Sequence, residues 1–318
     1  MTIRSPELSR TKKSAITYIL IGCCTYKRPE KLKTLLENLQ KINYPKDIKT
    51  EILIADNDIE KSGESIVENF HSKIKIHYFS EPAKGLSNAR NKILKEGINL
   101  GASHIAFIDD DEIADTNWLL NHIDFYNKFE NIYISSGPTY KKFVNNYPDY
   151  IINNKIFQVN ESKKLGTIKK SCASGNVFFP LNIIKDNNIY FSEEFNFSGS
   201  EDIDFFNRLS ELGYTIGWNC NAINFENIYD ERANVKWILR RAYHNGYSVA
   251  YSRFSCNKNI LKQTIYFCEK FITVLFDFVI TLFSIFTGLT NFVNMQTLTV
   301  KNIGKMIGAL CLKKTTYY

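Results

Sequence analysis

The chain lacks the marks of several common protein classes. It has no Lys/Arg-rich block of the kind that tracks nucleic acid, although its formal net charge is +7; the basic residues are scattered early and thicken after Arg232, so no nucleic-acid partner is expected. Its seven cysteines (Cys23, Cys24, Cys172, Cys220, Cys256, Cys268 and Cys311) form no C-x-x-C pair and no zinc spacing, which excludes a zinc ribbon and suits a reduced compartment. Residues 1–13 are polar and hold no apolar core of a secretory signal, so the catalytic part is expected to stay in the cytoplasm. No repeat or low-complexity tract is present. The G-x-G-x-x-G of a dinucleotide-binding turn is missing too, since only Gly22 lies near the end of the first apolar run. What remains is 318 residues, enough for one large domain with an appendage.

Apolar runs and helical patterns alternate through the first third. Strands are expected over 16–24, 51–55, 74–79 and 105–108, with helices over 29–40, 64–70 and 87–100. Pro29 suits a first helical turn, and Leu32, Leu35, Leu36 and Leu39 follow at helical spacing. Such alternation predicts crossover units and a mostly parallel sheet with helices on its faces. Further on, the pattern predicts helices over 118–129, 201–212 and 234–247, short strands over 132–135 and 176–179, and a loop or lid over 145–170.

The densest chemistry lies at Ile105-Ala106-Phe107-Ile108-Asp109-Asp110-Asp111-Glu112. A buried strand delivers four adjacent acids to its carboxyl end, where parallel sheets bind ligands. Mutual repulsion makes such a cluster costly unless a cation offsets it. Magnesium and manganese favour carboxylate oxygens and leave positions open for phosphate. Asp109 and Asp111 therefore read as a D-x-D site for a divalent metal and a nucleotide sugar. The competing reading is a solvated turn into the next helix, capped by Asp115 or Thr116.

A general base is offered by Gly199-Ser200-Glu201-Asp202 at a helix start. Asp202 is the candidate base, with Glu201 orienting it or touching the acceptor. Alone, these acids could equally complement the helix dipole, worth about 0.3–1 kcal/mol. For the nucleotide, the candidates are Thr25, Tyr26 and Arg28 after the first strand, Asp56 after the second, and Lys84 and Arg90 in the K-G-L-S-N-A-R-N segment, with Asp110 beside the D-x-D pair. That last segment could also be an ordinary loop with Ser87 as N-cap.

The C-terminal part differs. Residues 271–289 are almost wholly apolar, near the length of a bilayer span. Yet Thr273, Asp277, Thr281, Ser284, Gly288 and Asn291 recur every three or four residues, which puts them on one helical stripe. A charge at mid-span costs about 3 kcal/mol. The pattern therefore favours a helix in the membrane interface, or one packed on the protein by its polar stripe, over a lone span. Lys258, Lys262 and Lys270 precede it, and Lys301, Lys305, Lys313 and Lys314 follow, a set suited to an anionic leaflet. A core helix of a small helical subdomain is the alternative.

Taken in order, T-Y-K-R-P, A-D-N, K-G-L-S-N-A-R-N, F-I-D-D-D-E, S-G-N and G-S-E-D-I-D-F-F-N-R-L resemble the family 2 glycosyltransferases over residues 15–255. The stretch Glu226…Glu231-Arg232 with W-I-L-R-R-A-Y resembles the bacterial succinoglycan-type glucosyltransferases. The resemblance implies a GT-A fold with a nucleotide-binding half (15–112) and an acceptor half (113–255), preceded by the polar segment 1–14 and followed by a helical, membrane-associating region (256–318). It implies a nucleotide-sugar donor such as a UDP-hexose, a divalent metal, and inversion at the anomeric carbon. Thr25, Tyr26, Asp56 and Arg90 would contact the nucleotide, Asp109 and Asp111 would form the D-x-D pair, and Asp202 would be the base. Many relatives carry a metal-binding histidine after the base helix. Here Glu226 stands near that place, and the third ligand is left open. His244 reads as a structural histidine. Trp237 and Tyr243 could stack on sugars or pack in the core. Arg240 and Arg241 could meet a lipid diphosphate or form a solvated face with Lys236.

The expected function is hexosyl transfer to a glycan or polyprenyl-diphosphate-linked acceptor, for a surface polysaccharide, at the cytoplasmic face of the inner membrane. A sugar-phosphate nucleotidyltransferase would also use metal and nucleotide but would not need the Glu201–Asp202 helix start. A non-catalytic polysaccharide-assembly factor would not need intact Asp109, Asp111 and Asp202.

Overall fold

The computed structural model describes residues 13–159, 163–196, 199–255 and 259–311. Of the features read above, most of the polar N-terminal segment and Cys256, Lys258, Lys313 and Lys314 lie outside the described residues.

The alternation of the first third is realised as β1 (Tyr18–Thr25), α1 (Pro29–Leu39), β2 (Lys49–Asp56), α2 (Glu64–Glu68), β3 (Ile76–Ser80), α3 (Leu86–Asn99) and β4 (His104–Ile108). After the acid cluster come β5 (Glu112–Ala114), α4 (Trp118–Lys128), β6 (Ile134–Ser136), β7 (Thr139–Phe143), α5 (Asp149–Ile152), β8 (Ile168–Lys169), β9 (Asn176–Pro180), α6 (Asn182–Asn187), α7 (Glu201–Glu211), β10 (Ile216–Trp218) and β11 (Asn224–Ile228). The chain closes with α8 (Val235–Ser255), α9 (Ile260–Ser284) and α10 (Leu289–Ala309). The segment expected as a loop over 145–170 contains α5 and β8. The helix expected over 271–289 is longer at its start and ends at Ser284, and a further long helix, α10, follows it.

An eight-stranded sheet runs β3-β2-β1-β4-β9-β6-β10-β8. β1 pairs in parallel with β2 and β4, whereas β9 runs antiparallel to β4, with Ile108 opposite Asn176. The carboxyl ends of β1, β2 and β4 and the start of β9 thus share one edge. A small sheet, β5-β11-β7, stands beside it.

Alternating side chains build a core on each face of the large sheet. Leu20, Leu53, Ile105 and Phe107 pack against Ala89, Ile93 and Leu94 of α3 and Phe205, Phe206 and Leu209 of α7. Ile19, Ile21, Ile52 and Ile54 pack against Leu32, Leu35, Leu36 and Leu39 of α1 and Trp118 and Leu119 of α4. Both layers are fully removed from water, so the strand ends carrying the acids rest on a rigid support.

The C-terminal helices follow a different rule. α10 crosses α8 so closely that a side chain at Gly246 or Gly304 would collide with the opposing backbone. α9 then packs its polar stripe inward. Asn302 Nδ2 donates to Asp277 Oδ2 at 2.7 Å. Thr281 and Thr299 hydroxyls pair at 3.0 Å, and Asp277, Thr281 and Ser284 are buried. The other face, with Phe271, Ile272, Leu275, Phe276, Val279, Leu282 and Phe283, is exposed. The polar stripe packs on the protein, as one of the sequence readings expects. α9 with the turn after it is the one described helix long and apolar enough to cross a membrane.

Candidate active site

A cleft of about 820 Å³ opens along the shared sheet edge. It brings together Thr25, Tyr26, Arg28, Lys84, Arg90, Asp109, Asp110, Asp111, Glu201, Asp202 and Glu226, all singled out in the sequence. Asp56 is the exception. It is fully buried, and its carboxylate accepts from Asp58 N at 3.0 Å, Gly63 N at 2.7 Å and the Tyr78 hydroxyl at 2.8 Å. Those three donors turn it under the strand end, and Asn57 faces the cleft in its place. Asn57 also braces the next loop: its amide donates to the Glu81 and Ala83 carbonyls, and Gly85 N donates to its Oδ1, each at 2.8 Å.

The four acids after β4 take different roles. Asp110 is buried and accepts from the Thr25 hydroxyl at 2.9 Å and from Arg28 at 3.1 Å, so it ties the ends of β1 and β4. Asp109 is 47% exposed toward the cleft and has Arg90 as its cationic partner, at 3.9 Å. Partial loss of water in the cleft wall, and next the charges of Asp111 and Asp110, outweigh Arg90 and raise its carboxyl above the usual range. Gly175 of the S-G-N segment passes directly over it, and a Cβ there would meet Asp109 Oδ2 at 2.7 Å. Burial alone would raise Asp111, but Arg232 at 2.9 Å, Lys31 at 3.4 Å and Arg28 at 3.5 Å hold it below the usual range. Glu112 is buried, takes a hydrogen bond from Asn224 Nδ2 at 2.9 Å, and is raised by burial and by Asp109.

Glu226 sits in the middle of the small sheet, opposite Glu112 on one side and Lys141 on the other. It is ion-paired with Lys141 and Arg232. Among the described residues no set of three or more Asp, Glu, His or Cys side chains is arranged to hold a metal without further ligands.

Across the cleft, Asp202 stands in the first turn of α7. Burial, then repulsion from Glu201, raises its carboxyl to about 7. Glu201 is buried and pairs with Arg90 at 2.7 Å. Arg90 is therefore a bridge between Asp109 and the start of α7, where Glu201 receives it. The K-G-L-S turn opens α3 at Gly85, whose φ of +140° favours glycine. Ser87 does not cap the helix, since its hydroxyl donates to the Ser192 carbonyl at 2.8 Å. Likewise α4 starts after Asn117, not after Asp115 or Thr116 as cap. Lys84 stays exposed at the rim, 5.6 Å from the Tyr26 ring.

The sequence reading missed Lys31 and Lys141, and left Arg232 without a role. Lys31 sits one turn into α1 beside Arg28, a proximity visible in the chain. Lys141 meets Glu226 only through the pairing of β7 with β11, which no local pattern announces. From α8, Arg240 and Arg241 line the cleft at its exposed rim, and His244 lines it from a buried position. Trp237 packs on Phe157, stacked at 5.7 Å, while lining the same cleft.

The family profile described as Glycosyl transferase family 2 matches residues 21–186. The succinoglycan biosynthesis protein ExoM of Rhizobium meliloti (strain 1021) is 27% identical over 231 residues, covering 72% of this chain and 73% of that protein. The mannosyltransferase PcManGT from Pyrobaculum calidifontis, in complex with GDP-Man and Mn2+, superposes with a TM-score of 0.64 at 15% identity, over 94% of this chain and 88% of that one. S. aureus TarS 1-349 gives a TM-score of 0.53 at 17% identity, over 91% and 90%. The sheet architecture expected from the sequence is thus the GT-A fold. With the family match spanning half of the chain and the D-x-D and helix-start acids gathered in one cleft, the chain belongs to glycosyl transferase family 2 and is a glycosyltransferase.

Proposed function

We propose that the chain transfers a hexose, with inversion, from a UDP-linked donor to a hydroxyl of a glycan or lipid-linked glycan acceptor in the synthesis of a surface polysaccharide. The observation that carries this reading is the bridge across one cleft. Arg90 reaches Asp109 at 3.9 Å and Glu201 at 2.7 Å, so donor-side acids and the acceptor-side base share one rigid connection. The relatives agree in kind: PcManGT holds GDP-Man and Mn2+, TarS 1-349 holds UDP-GlcNAc, and ExoM acts in succinoglycan biosynthesis.

A hard divalent cation fits the acid run, because the exposed Asp109 carboxylate and Asp111 offer oxygen donors without a complete protein cage, and magnesium commonly takes one or two carboxylates plus substrate phosphates. When bound by Asp109 and Asp111, it would neutralise charge on the departing diphosphate. Glu226, ion-paired with Lys141 and Arg232 much as Asp111 is with Arg232, Lys31 and Arg28, is the candidate for a third ligand. The chain's own residues account for the rest. Arg28, Lys31, Lys141 and Arg232 add positive charge on the donor side, where oxyanions develop. Tyr26, Asn57 and Lys84 form the wall for the nucleotide. Asp202, with its carboxyl near neutrality, is suited to take the proton of the acceptor hydroxyl. Arg240 and Arg241 at the rim suit an acceptor diphosphate.

The exposed apolar face of α9 supports contact with the cytoplasmic face of the inner membrane, since a contiguous apolar patch of that extent marks an interaction surface.

A donor screen with Mn2+ and membrane extract as acceptor tests the function. Consumption of one UDP-hexose with release of UDP is expected, lost in Asp202→Asn with nucleotide binding kept. Release of pyrophosphate from UTP and a sugar phosphate would favour a nucleotidyltransferase instead. Turnover of no donor would favour an assembly factor.

A further inference from the structure

A second cavity, of about 460 Å³, opens between α8, α9 and α10. Arg253, Lys262, Lys270 and Lys305 line it, with Glu269 as the one acid in its wall. That acid is engaged already: Lys270 donates to it at 2.6 Å. Arg253 lies over the Tyr266 ring at 5.2 Å, both residues in the cavity wall. Lys305 donates to Asn302 Oδ1, the residue whose amide holds Asp277. Loss of water lowers the Lys305 ammonium, and the charges of Lys301 and Lys270 add to this. The wall thus holds four cations and one carboxylate, a surplus of positive charge that an anion would relieve.

The position of the cavity says which anion. It shares no lining residue with the cleft described above, although both use α8: residues between Trp237 and Ser248 serve the cleft, and Val249 and Arg253 the cavity. A phosphate held here is therefore not the one at the reacting site. The rim continues into the apolar face of α9 through Ile265, itself 59% exposed, and on to Phe271, Phe276 and Phe283. A basic cavity running into an apolar face matches a ligand with a phosphate at one end and hydrocarbon at the other. A soluble acidic peptide would leave the apolar part uncovered.

We propose that this cavity binds the phosphate headgroup of an anionic phospholipid in the leaflet against which α9 lies. The proposal rests on the membrane contact of α9 put forward above, and adds to it a specific headgroup site. Arg253 supplies a planar fork for two phosphate oxygens, and the three lysines add positive charge around it. One bound headgroup then fixes the depth and rotation of α9 and so presents the neighbouring cleft to the membrane surface.

The test is flotation of the full chain with vesicles of phosphatidylcholine alone, or with one-third phosphatidylglycerol. The wild type is expected to bind the anionic vesicles at least tenfold better. The quadruple variant Arg253→Gln, Lys262→Gln, Lys270→Gln, Lys305→Gln should bind both kinds equally, at the wild-type level for phosphatidylcholine. A matched variant neutralising the exposed Lys33, Lys46, Lys73 and Lys75 should keep the preference, which separates a local site from net charge. Thermal unfolding of each variant confirms that it is folded. Phe276→Asp with Phe283→Asp tests the underlying contact and should abolish binding to either vesicle. Equal wild-type binding to both vesicles, or loss of the preference in the matched variant, overturns the headgroup site while the membrane contact stands. Failure of the wild type to bind any vesicle overturns both. Inorganic phosphate serves as the soluble probe: if it saturates the cavity at micromolar concentration and leaves the vesicle preference intact, the site belongs to free phosphate and the proposal fails.

Discussion

The cleft and the α9–α10 pair solve opposite problems with the same residue types. Around the cleft the interior is apolar and charge is gathered at the exposed sheet edge, where each acid has an assigned neighbour. Between α9 and α10 the interior is polar, with Asp277, Thr281, Ser284, Thr299 and Asn302 buried and bonded, while phenylalanines and leucines face outward. The difference teaches that polarity alone does not identify an inside. Asp109 is valuable because its charge is left incompletely matched, and Asp277 because its partner is complete. A carboxylate open to a cleft is available to a ligand, whereas one closed by Asn302 specifies how two helices sit.

The sharpest way to break this comparison is at Asp202. Asp202→Asn should lower the transfer rate by about 10²–10⁴-fold, measured with the donor found in the screen, and leave vesicle binding unchanged. If vesicle binding fell as well, the two regions would not be separable.

A smaller but still large effect is expected at the bridge. Arg90→Met leaves the buried Glu201 without its cation and should cost about 3–5 kcal/mol of stability in denaturant unfolding. Replacing both partners, Arg90→Met with Glu201→Met, should recover much of that loss but not the activity, because Asp202 then has no fixed helix start. Full recovery of activity would show the bridge to be scaffolding only.

In the helical pair, Asp277→Val removes the acceptor of the Asn302 amide and should cost about 1–3 kcal/mol. Adding Asn302→Leu should restore the stability. Transfer to a soluble acceptor is expected to stay at the wild-type level in both, as measured in the same assay.

The finest effect is on pH dependence. Burial and Glu201 raise Asp202 to about 7, and the general base proposed for it works deprotonated. The value of kcat/KM should therefore rise with pH through about 7 and fall about tenfold per unit below it, where an ordinary aspartate would be level down to about pH 4. Glu201→Gln removes the repulsion and should move this limb to lower pH.

The parts legible in the sequence were those fixed by local pattern. β1, β2 and β4 announce themselves as apolar runs, α1 as leucine spacing after Pro29, and Asp109, Asp111 and Asp202 as acids at element boundaries. What was not legible depended on contacts distant in the chain. Asp56 ends its strand as expected, yet the turn through Asp58 and Gly63 closes over it. Thr139–Phe143 has little alternation and becomes a strand only by pairing with β11, and that pairing gives Glu226 its lysine. α10 hides because its buried side carries Thr297, Thr299 and Asn302 instead of an apolar stripe, their partners being the polar side of α9 and the segment around Asn154. The inward stripe on α9 itself could be read, since its spacing is helical and local.

The most direct test of the central claim is titration calorimetry of UDP with Mn2+ present, on the wild type, the Asp109→Asn/Asp111→Asn double variant and Asp202→Asn, with the transfer rate of each measured alongside. UDP binding is expected to be kept in Asp202→Asn and lost in the double variant, with transfer lost in both. Wild-type UDP binding by the double variant, or wild-type transfer by Asp202→Asn, would contradict that claim.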